Sequence, residues 1–423
     1  MSHRVVVVGA GFAGLQLVRD LKGAEAEITL IDQRNHHLFQ PLLYQVATTL
    51  IATSEIAWPI RRLFAGRKDV TTLLATVMGL DSAARDVLLV GGRSVSYDTL
   101  VLATGARHAY FGHDEWEAVA PGLKTLEDAT TIRRRLLLAF ERAELTNDPV
   151  ERDAQMTFCI IGGGPTGVEL AGIIAELAHR VLPDEFRRID TRRAKVMLIE
   201  AGPRLLPLFT ERLSDYAARA LRREGVEVRT GHPVTECTAE GIRIGDDVIP
   251  ARTLIWAAGV QASRAAQWLV AEADRAGRVR VEPDLTVPGH PDVFVLGDTA
   301  QVISGGKPVP GIAPAAKQQG AYAARVIRAR LAGKTPPAAF HYRHLGNLAT
   351  IGRSAAVIDI GRLQLTGWIA WWVWGLAHIY FLIGARSRIA VATSWLWSFV
   401  SGQHSARLIT QKETLRADNT DSR

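Results

Sequence analysis

The sequence predicts an α/β protein of two Rossmann-like dinucleotide-binding domains followed by a C-terminal helical segment suited to docking on a membrane. Three observations carry this expectation. A pattern of strand, glycine loop, helix, strand and acid occurs twice. A later apolar strand ends in Gly297-Asp298. Six of the ten tryptophans lie between Trp368 and Trp397. The 423 residues allow about two to four domains at roughly 100–200 residues each. With 48% hydrophobic and 22% charged residues the chain is too polar for many membrane spans, so its apolar excess must be local.

The first copy opens with Val5–Val8, a β-branched run short enough for a buried strand. Gly9-Ala10-Gly11-Phe12-Ala13-Gly14 follows, then helical apolar spacing over Leu15–Leu21, then a strand at Glu27–Ile31 that ends at Asp32. In such a unit one glycine makes the tight turn, one admits a pyrophosphate to the backbone, and one lets helix pack on strand. The helix N-terminus offers N–H groups and positive partial charge to the phosphates, and the acid accepts from ribose hydroxyls.

The second copy runs from Phe158–Ile161 through Gly162-Gly163-Gly164-Pro165-Thr166-Gly167 into a helix at Val168–Leu177 and a strand at Val196–Ile199 that ends at Glu200. Its acid lies 33 residues past the last glycine against 18 in the first copy, and the excess falls in a polar extension over 180–188, read as an inserted loop. Glu200 would repel a 2′-phosphate and so favours NAD over NADP, whereas Arg204, four residues on, works against that preference. Each copy later shows an apolar strand running into small residues, Thr99–Leu102 into Ala103-Thr104-Gly105 and Thr253–Trp256 into Ala257-Ala258-Gly259. A helix is expected from about Pro314 to Ala332, bracketed by loops that carry proline and glycine.

Other chemistries find little footing. Cys159 and Cys237 are too far apart for a CxxC pair, which leaves neither a zinc ribbon nor a redox-active disulfide, and Cys159 reads as core. The net charge of +7 permits nucleic acid, an anionic membrane or an acidic ligand. No basic run is interleaved with stacking aromatics, so no nucleic-acid partner is expected. His36 and His37 lack partners at metal-ligand spacing, and no metal site is expected. The first strand follows Met1–Arg4 directly, which predicts a chain that begins inside its first domain, in a reducing compartment.

Two longer segments are more specific than the glycine loops. Residues 35–48, Asn-His-His-Leu-Phe-Gln-Pro-Leu-Leu-Tyr-Gln-Val-Ala-Thr, and residues 311–320, Gly-Ile-Ala-Pro-Ala-Ala-Lys-Gln-Gln-Gly, resemble the type II NADH:quinone oxidoreductases. These are the single-subunit, non-pumping members of the two-dinucleotide-binding-domain flavoproteins, and the resemblance runs to about Arg407. It implies an FAD-binding domain in two parts, 1–110 and 280–340, a linker and inserted NAD-binding domain at 111–279, and a C-terminal region at 341–423 with membrane-associated helices at about 366–402. Gly9, Gly11, Phe12, Ala13, Gly14, Asp32, Ala103, Thr104, Gly105, Gly297 and Asp298 would hold FAD, and Gly162, Gly164, Thr166, Gly167, Glu200 and Gly259 would hold NADH. Glu169 would serve catalysis beside the flavin, between nicotinamide and quinone, and Gln318 and Gln319 would face the quinone ring.

On residue type, Glu169 reads as a helix-dipole complement, although the pyrophosphate expected at the same turn makes that reading poorer. Gln318 and Gln319 read as the solvated face of an amphipathic helix. The implied activity is transfer of two electrons from NADH through flavin to a membrane quinone without proton pumping, by an enzyme peripheral to the cytoplasmic face of the inner membrane. The resemblance leaves a homodimer open. Two other readings also stay open: a flavoprotein reductase for another acceptor (ferredoxin, rubredoxin, or sulfide and quinone), and a redox sensor that is reduced once and stops.

Thr366–Ala385 is a twenty-residue stretch without formal charge, apolar all round and long enough to span a bilayer. Arg386 and Arg388 follow, then an amphipathic helix over Ile389–Val400. A buried hairpin in a soluble dimer, a transmembrane tail and a pair of helices lying in the membrane interface all remain open. Four tryptophans within 368–374 suit the headgroup level better than hydrocarbon, so the interfacial pair is expected.

Overall fold

The computed structural model describes residues 2–410. The described residues form two compact units, 2–38, 57–107 and 260–345 making the first, and 39–56, 108–259 and 346–410 the second.

The first unit is built on a six-stranded sheet in the order Thr286–Val287, His290–Val295, Thr99–Leu102, His3–Val8, Ala26–Asp32, Val70–Leu74. Five strands are parallel and only the outermost Thr286–Val287 is antiparallel. Val5–Val8 are buried on both faces, as a continuous β-branched run in a parallel sheet must be. Its registers set Val5 opposite Ile28 and Thr99. Gly9, Ala103 and Gly297 therefore follow the carboxyl ends of three adjacent strands, the end at which open α/β sheets take ligands. Helix Phe12–Asp20 packs against helix Ala313–Leu331, whose start at Ala313 agrees with the expected one. The contact is so close that a Cβ on Gly320 would lie 2.3 Å from the Ala13 carbonyl oxygen.

The second unit contains a four-stranded parallel sheet in the order Val226–Thr230, Lys195–Glu200, Thr157–Ile161, Thr253–Trp256. The helix after its glycine loop, Pro165–Glu176, is buried from Gly167 to Glu176. It packs on strand Asn347–Ile351 through Gly172, where a Cβ would lie 2.5 Å from the Gly352 nitrogen. The extension expected as a loop begins as more helix, a π turn at Leu177–Val181. That turn is held by His179, whose Nε2 lies 3.0 Å from the Ala194 oxygen and whose Nδ1 lies 3.2 Å from the Glu224 oxygen. A periodicity of 3.6 has no signature for such a widening.

Strands Asn347–Ile351, Ala355–Ile360 and Leu363–Thr366 then form an antiparallel sheet that leads into helices Gly367–Phe381 and Ala385–Ser401. The transmembrane reading is overturned here. Fifteen helical residues rise about 22 Å against roughly 30 Å of hydrocarbon, and the chain turns away at extended Leu382 and at Gly384, φ +80°. Among the described residues no helix is long and apolar enough to cross a membrane. Trp368, Trp372, Leu376 and Tyr380 form an exposed stripe at four-residue spacing, while Ala370 and Trp374 face inward. The second helix is amphipathic with its apolar side outward: Ile389, Leu396, Phe399 and Val400 are exposed, and Ser387, Val391 and Ser398 are buried. Arg388 donates to the carbonyls of Tyr380 (2.9 Å) and Leu382 (3.0 Å), closing the end of the preceding helix.

Candidate functional site

In the first unit the three loop glycines have distinct jobs. Gly9 sits at φ +103°, and a Cβ there would fall 2.3 Å from the Ala103 oxygen; one on Gly14 would fall 2.0 Å from the Gly9 oxygen. Gly11 has nothing within 4 Å, so the loop is open on the side where a pyrophosphate approaches. Gly11 also caps helix Phe12–Asp20 without a side-chain acceptor, leaving first-turn N–H groups for an anion. Asp32 accepts from the backbone N–H of Ala10 and of Arg34, each at 2.7 Å, and burial raises its pKa.

On the neighbouring strands, Thr104 Oγ1 lies 2.5 Å from Ser263 Oγ and 3.3 Å from Thr299 Oγ1, and Thr299 donates to the Gly105 carbonyl at 3.1 Å. Gly297, at φ +72°, packs near the Cβ atoms of Ala13 and Ala316. The Asp298 carboxylate lies against Gly311, where a Cβ would stand 3.2 Å from Oδ1. Ser263 and Thr299 carried no sequence signal, because only the fold brings them to Thr104.

His37, which has no partner at metal-ligand spacing in the sequence, lies on strand His36–Leu38 and belongs to this set. Its ring meets Phe12 edge-on at 5.2 Å, and its Nδ1 lies 2.8 Å from the Ala10 carbonyl, which can only accept. Burial pushes its pKa down to about 4, so the ring is neutral and Nε2 is an acceptor. That Nε2 is buried and has no partner among the described residues. An orphaned acceptor beside an open glycine and an uncapped helix fits a dinucleotide with ribose hydroxyls to donate.

The second unit repeats this geometry. Gly162 has φ +115°, with a Cβ position 2.6 Å from the Ala257 carbonyl carbon; a Cβ on Gly167 would meet the Gly162 oxygen at 1.8 Å; Gly164 is open. Glu200 accepts from Gly163 N–H and Gly202 N–H, both at 2.6 Å, matching the grip of Asp32 on its own loop. Pro165 occupies the helix start, where no N–H is needed, and Thr166 follows it half-buried. Arg204, the residue that worked against the NAD preference, donates to the Phe209 oxygen (2.7 Å), Ser214 Oγ (2.8 Å) and the Pro207 oxygen (3.0 Å). Its guanidinium is thus committed to the loop rather than to a phosphate. Gly259 ends the site with φ +72°.

Glu169 lies in the first turns of that helix, buried, with Oε1 accepting from the Thr350 N–H at 3.4 Å. Burial raises its pKa to about 8. Thr350 Oγ1 is 2.9 Å from the Tyr44 hydroxyl, which accepts from Gln45 Nε2 at 3.1 Å; Gln45 Oε1 accepts from Trp395 Nε1 at 2.8 Å. A polar chain therefore runs from the neighbourhood of the buried carboxyl to the C-terminal helices. Tyr44, Gln45, Glu176, Trp371, Trp374 and Trp395 are among the residues lining a partly open pocket. Glu176, two turns beyond Glu169 on the same helix, is raised to about 7 by burial and opposed by Arg353. Tyr44 and Gln45 lie within the specific 35–48 segment but carry chemistry only once Thr350 and Trp395 are placed beside them.

Gln318 and Gln319 point to different partners. Gln319 is buried and its Oε1 accepts from the Gly297 N–H at 2.6 Å. Gln318 closes a two-bond ring with the backbone of Arg343, both bonds at 2.9 Å. Among the described residues no group of three or more His, Cys, Asp or Glu could hold a metal ion.

Comparison with known proteins follows the same lines. Residues 3–320 match the family described as pyridine nucleotide-disulphide oxidoreductase, and residues 344–404 match the NDH2 C-terminal domain. The type II NADH:quinone oxidoreductase Ndh of Mycobacterium tuberculosis is 43% identical over 97% of this chain and 91% of its own length. That of Staphylococcus haemolyticus is 31% identical over 86% of this chain and 91% of its own. In fold, the chain is similar to NDH2 of Plasmodium falciparum solved in complex with NADH, with a TM-score of 0.88 at 20% identity, covering 97% of this chain and all of that one.

Proposed function

The chain belongs to the type II NADH:quinone oxidoreductase family, and on that premise we propose that it oxidises NADH and reduces a membrane quinone through bound FAD, without proton pumping. FAD supplies the two-electron chemistry; the protein contributes placement, exclusion of water and proton handling. The loop of Gly9, Gly11 and Gly14, with Asp32 and His37, holds FAD, and the loop of Gly162, Gly164 and Gly167, with Glu200, holds NADH. Gln319 positions the Gly297 turn for FAD, and Gln318 fixes the segment at Arg343.

The observation that carries the reading is Glu169. Quinone reduction takes up protons, and a buried carboxyl with a pKa of about 8 holds one at neutral pH. The pocket walled by Tyr44, Gln45 and the tryptophans admits the quinone from the membrane side. The exposed stripe of Trp368, Trp372, Leu376 and Tyr380, with Ile389 and Leu396 on the next helix, docks in the interface of the cytoplasmic leaflet. A sulfide-oxidising role has no thiolate to begin from, since burial pushes both Cys159 and Cys237 up to about 12.

The test is the visible spectrum of the purified protein without oxygen. NADH should bleach the flavin band and a short-chain quinone should restore it, over repeated cycles. Absence of flavin, or bleaching that quinone does not reverse, rejects the assignment.

A further inference from the structure

Phe111 lies outside every motif described so far, yet it has three properties that seldom coincide. It is 71% exposed, although it is a large apolar residue. Its φ is +54°, in the left-handed region where a bulky side chain is an outlier. Its ring lies over Gly259, where a Cβ would stand 2.4 Å from Phe111 Cζ and about 3 Å from both Cε atoms.

The residues on either side show what holds it there. Tyr110 is buried, stacked on Trp256 at 5.0 Å, with its hydroxyl donating to the Ala120 carbonyl at 2.9 Å. Trp256 Nε1 donates to the Ala109 carbonyl at 3.0 Å. Gly112 follows at φ +96°. His113 N–H donates to the Tyr110 carbonyl at 3.1 Å, so residues 110–113 close a turn whose two central positions, Phe111 and Gly112, both take positive φ, and the ring at its tip is presented outward. A turn of this type ordinarily carries Gly, Asn or Asp at its first central position, so a phenylalanine there is a departure from turn chemistry.

The sheet order says what the ring faces. Thr253–Trp256 lies beside Thr157–Ile161, and Lys195–Glu200 lies on the other side. A dinucleotide draped over Gly164 has its adenosine ribose at Glu200, so its other half extends over Ala257–Gly259. Resting on the reading of this loop as the NADH site, we propose that Phe111 is an aromatic clamp for the nicotinamide half, its exposed ring packing against the bound dihydronicotinamide over Gly259. Gly259 has no side chain because the ring, and then the cofactor, need that space.

The experiment is steady-state kinetics on Phe111→Ala and Phe111→Tyr in the full chain, with NADH and with reduced nicotinamide mononucleotide, which lacks the adenosine half. Loss of one aromatic contact should raise the KM for both reductants in the Ala variant by about two- to tenfold. The KM for quinone and the flavin content should hold, and the Tyr variant should stay near the parent. The proposal is overturned if KM for the mononucleotide is unchanged, or if flavin content, thermal midpoint and both KM values all shift together, which marks a purely structural residue. A parent enzyme that does not oxidise NADH at all would instead remove the functional assignment itself.

Discussion

A single carboxyl shows how burial sets both chemistry and stability. Glu169 rises from about 4.5 to about 8 because its charged form loses water and gains only one long bond from Thr350. Since the folded pKa is the higher one, its stability contribution is fully present below about pH 4.5 and is lost as pH rises through about 8. The size is on the order of a few kcal/mol. Glu169→Gln should therefore gain stability relative to the parent between about pH 5 and 9, read as a widening gap in denaturation midpoints, while quinone-dependent turnover falls. A constant gap across that range, or undiminished turnover, refutes the assignment. At Glu200 the expectation concerns selectivity. Glu200→Ala removes the acceptor for two loop N–H groups and the charge that opposes a 2′-phosphate, so the ratio of kcat/KM for NADH over NADPH should fall by about tenfold or more. Asp32 and Glu200 were legible in the sequence because each ends the strand that follows a glycine loop in a pattern that occurs twice, whereas the role of Glu169 came only with the family resemblance. His37, Ser263 and Thr350 were not: each acquires its partner across long sequence separation, and no local pattern encodes that.

Among the elements, the helix pair Phe12–Asp20 and Ala313–Leu331 is the most sensitive to added volume. Gly320→Val would drive side-chain atoms into the Ala13 carbonyl, costing about 1–3 kcal/mol and displacing the turn at Gly297. The ratio of flavin to protein absorbance should drop before secondary structure is lost; full flavin occupancy in a folded variant contradicts that order. The C-terminal helices were legible in composition but not in orientation. Their apolar and hydroxyl-bearing positions could be counted from the sequence, whereas which side faces inward depends on Trp374 packing between His378, at 4.1 Å, and Trp395, at 5.3 Å. Their length was misjudged for a related reason: hydropathy does not register a break at Leu382 and Gly384. A carboxylate on the outward stripe, Trp372→Glu with Leu376→Glu, should abolish co-flotation with lipid vesicles and leave NADH oxidation by a water-soluble acceptor intact. Retained flotation would place the membrane contact elsewhere.

Across the whole molecule, the net charge of +7 and the outward tryptophans make opposite forecasts about how it meets a bilayer. Charge-driven binding is screened within about 8–10 Å at physiological salt, whereas burial of apolar area is not. The stripe should dominate, so binding to neutral vesicles should survive roughly molar salt; release at high salt would show that the basic residues govern attachment. Most of the fold was legible because the same glycine loop and acid occur twice and each fixes a strand, a helix and their close contact. The parts that escaped sequence reading, the π turn, the pocket and the Phe111 conformation, depend on packing among distant segments.

The chain of contacts from Trp395 through Gln45 and Tyr44 to Thr350 carries one more consequence. A terminal anchor that merely tethers an enzyme can be cut away, and the remainder works in free solution. Here the Trp395 indole, on the second C-terminal helix, also helps hold the Tyr44 hydroxyl through Gln45, and Thr350 joins that hydroxyl to the buried Glu169. A chain ending before Gly367 would lose the outward stripe and the Trp395 contact together, so truncation, unlike substitution on the stripe, is expected to cost vesicle binding and quinone turnover at once.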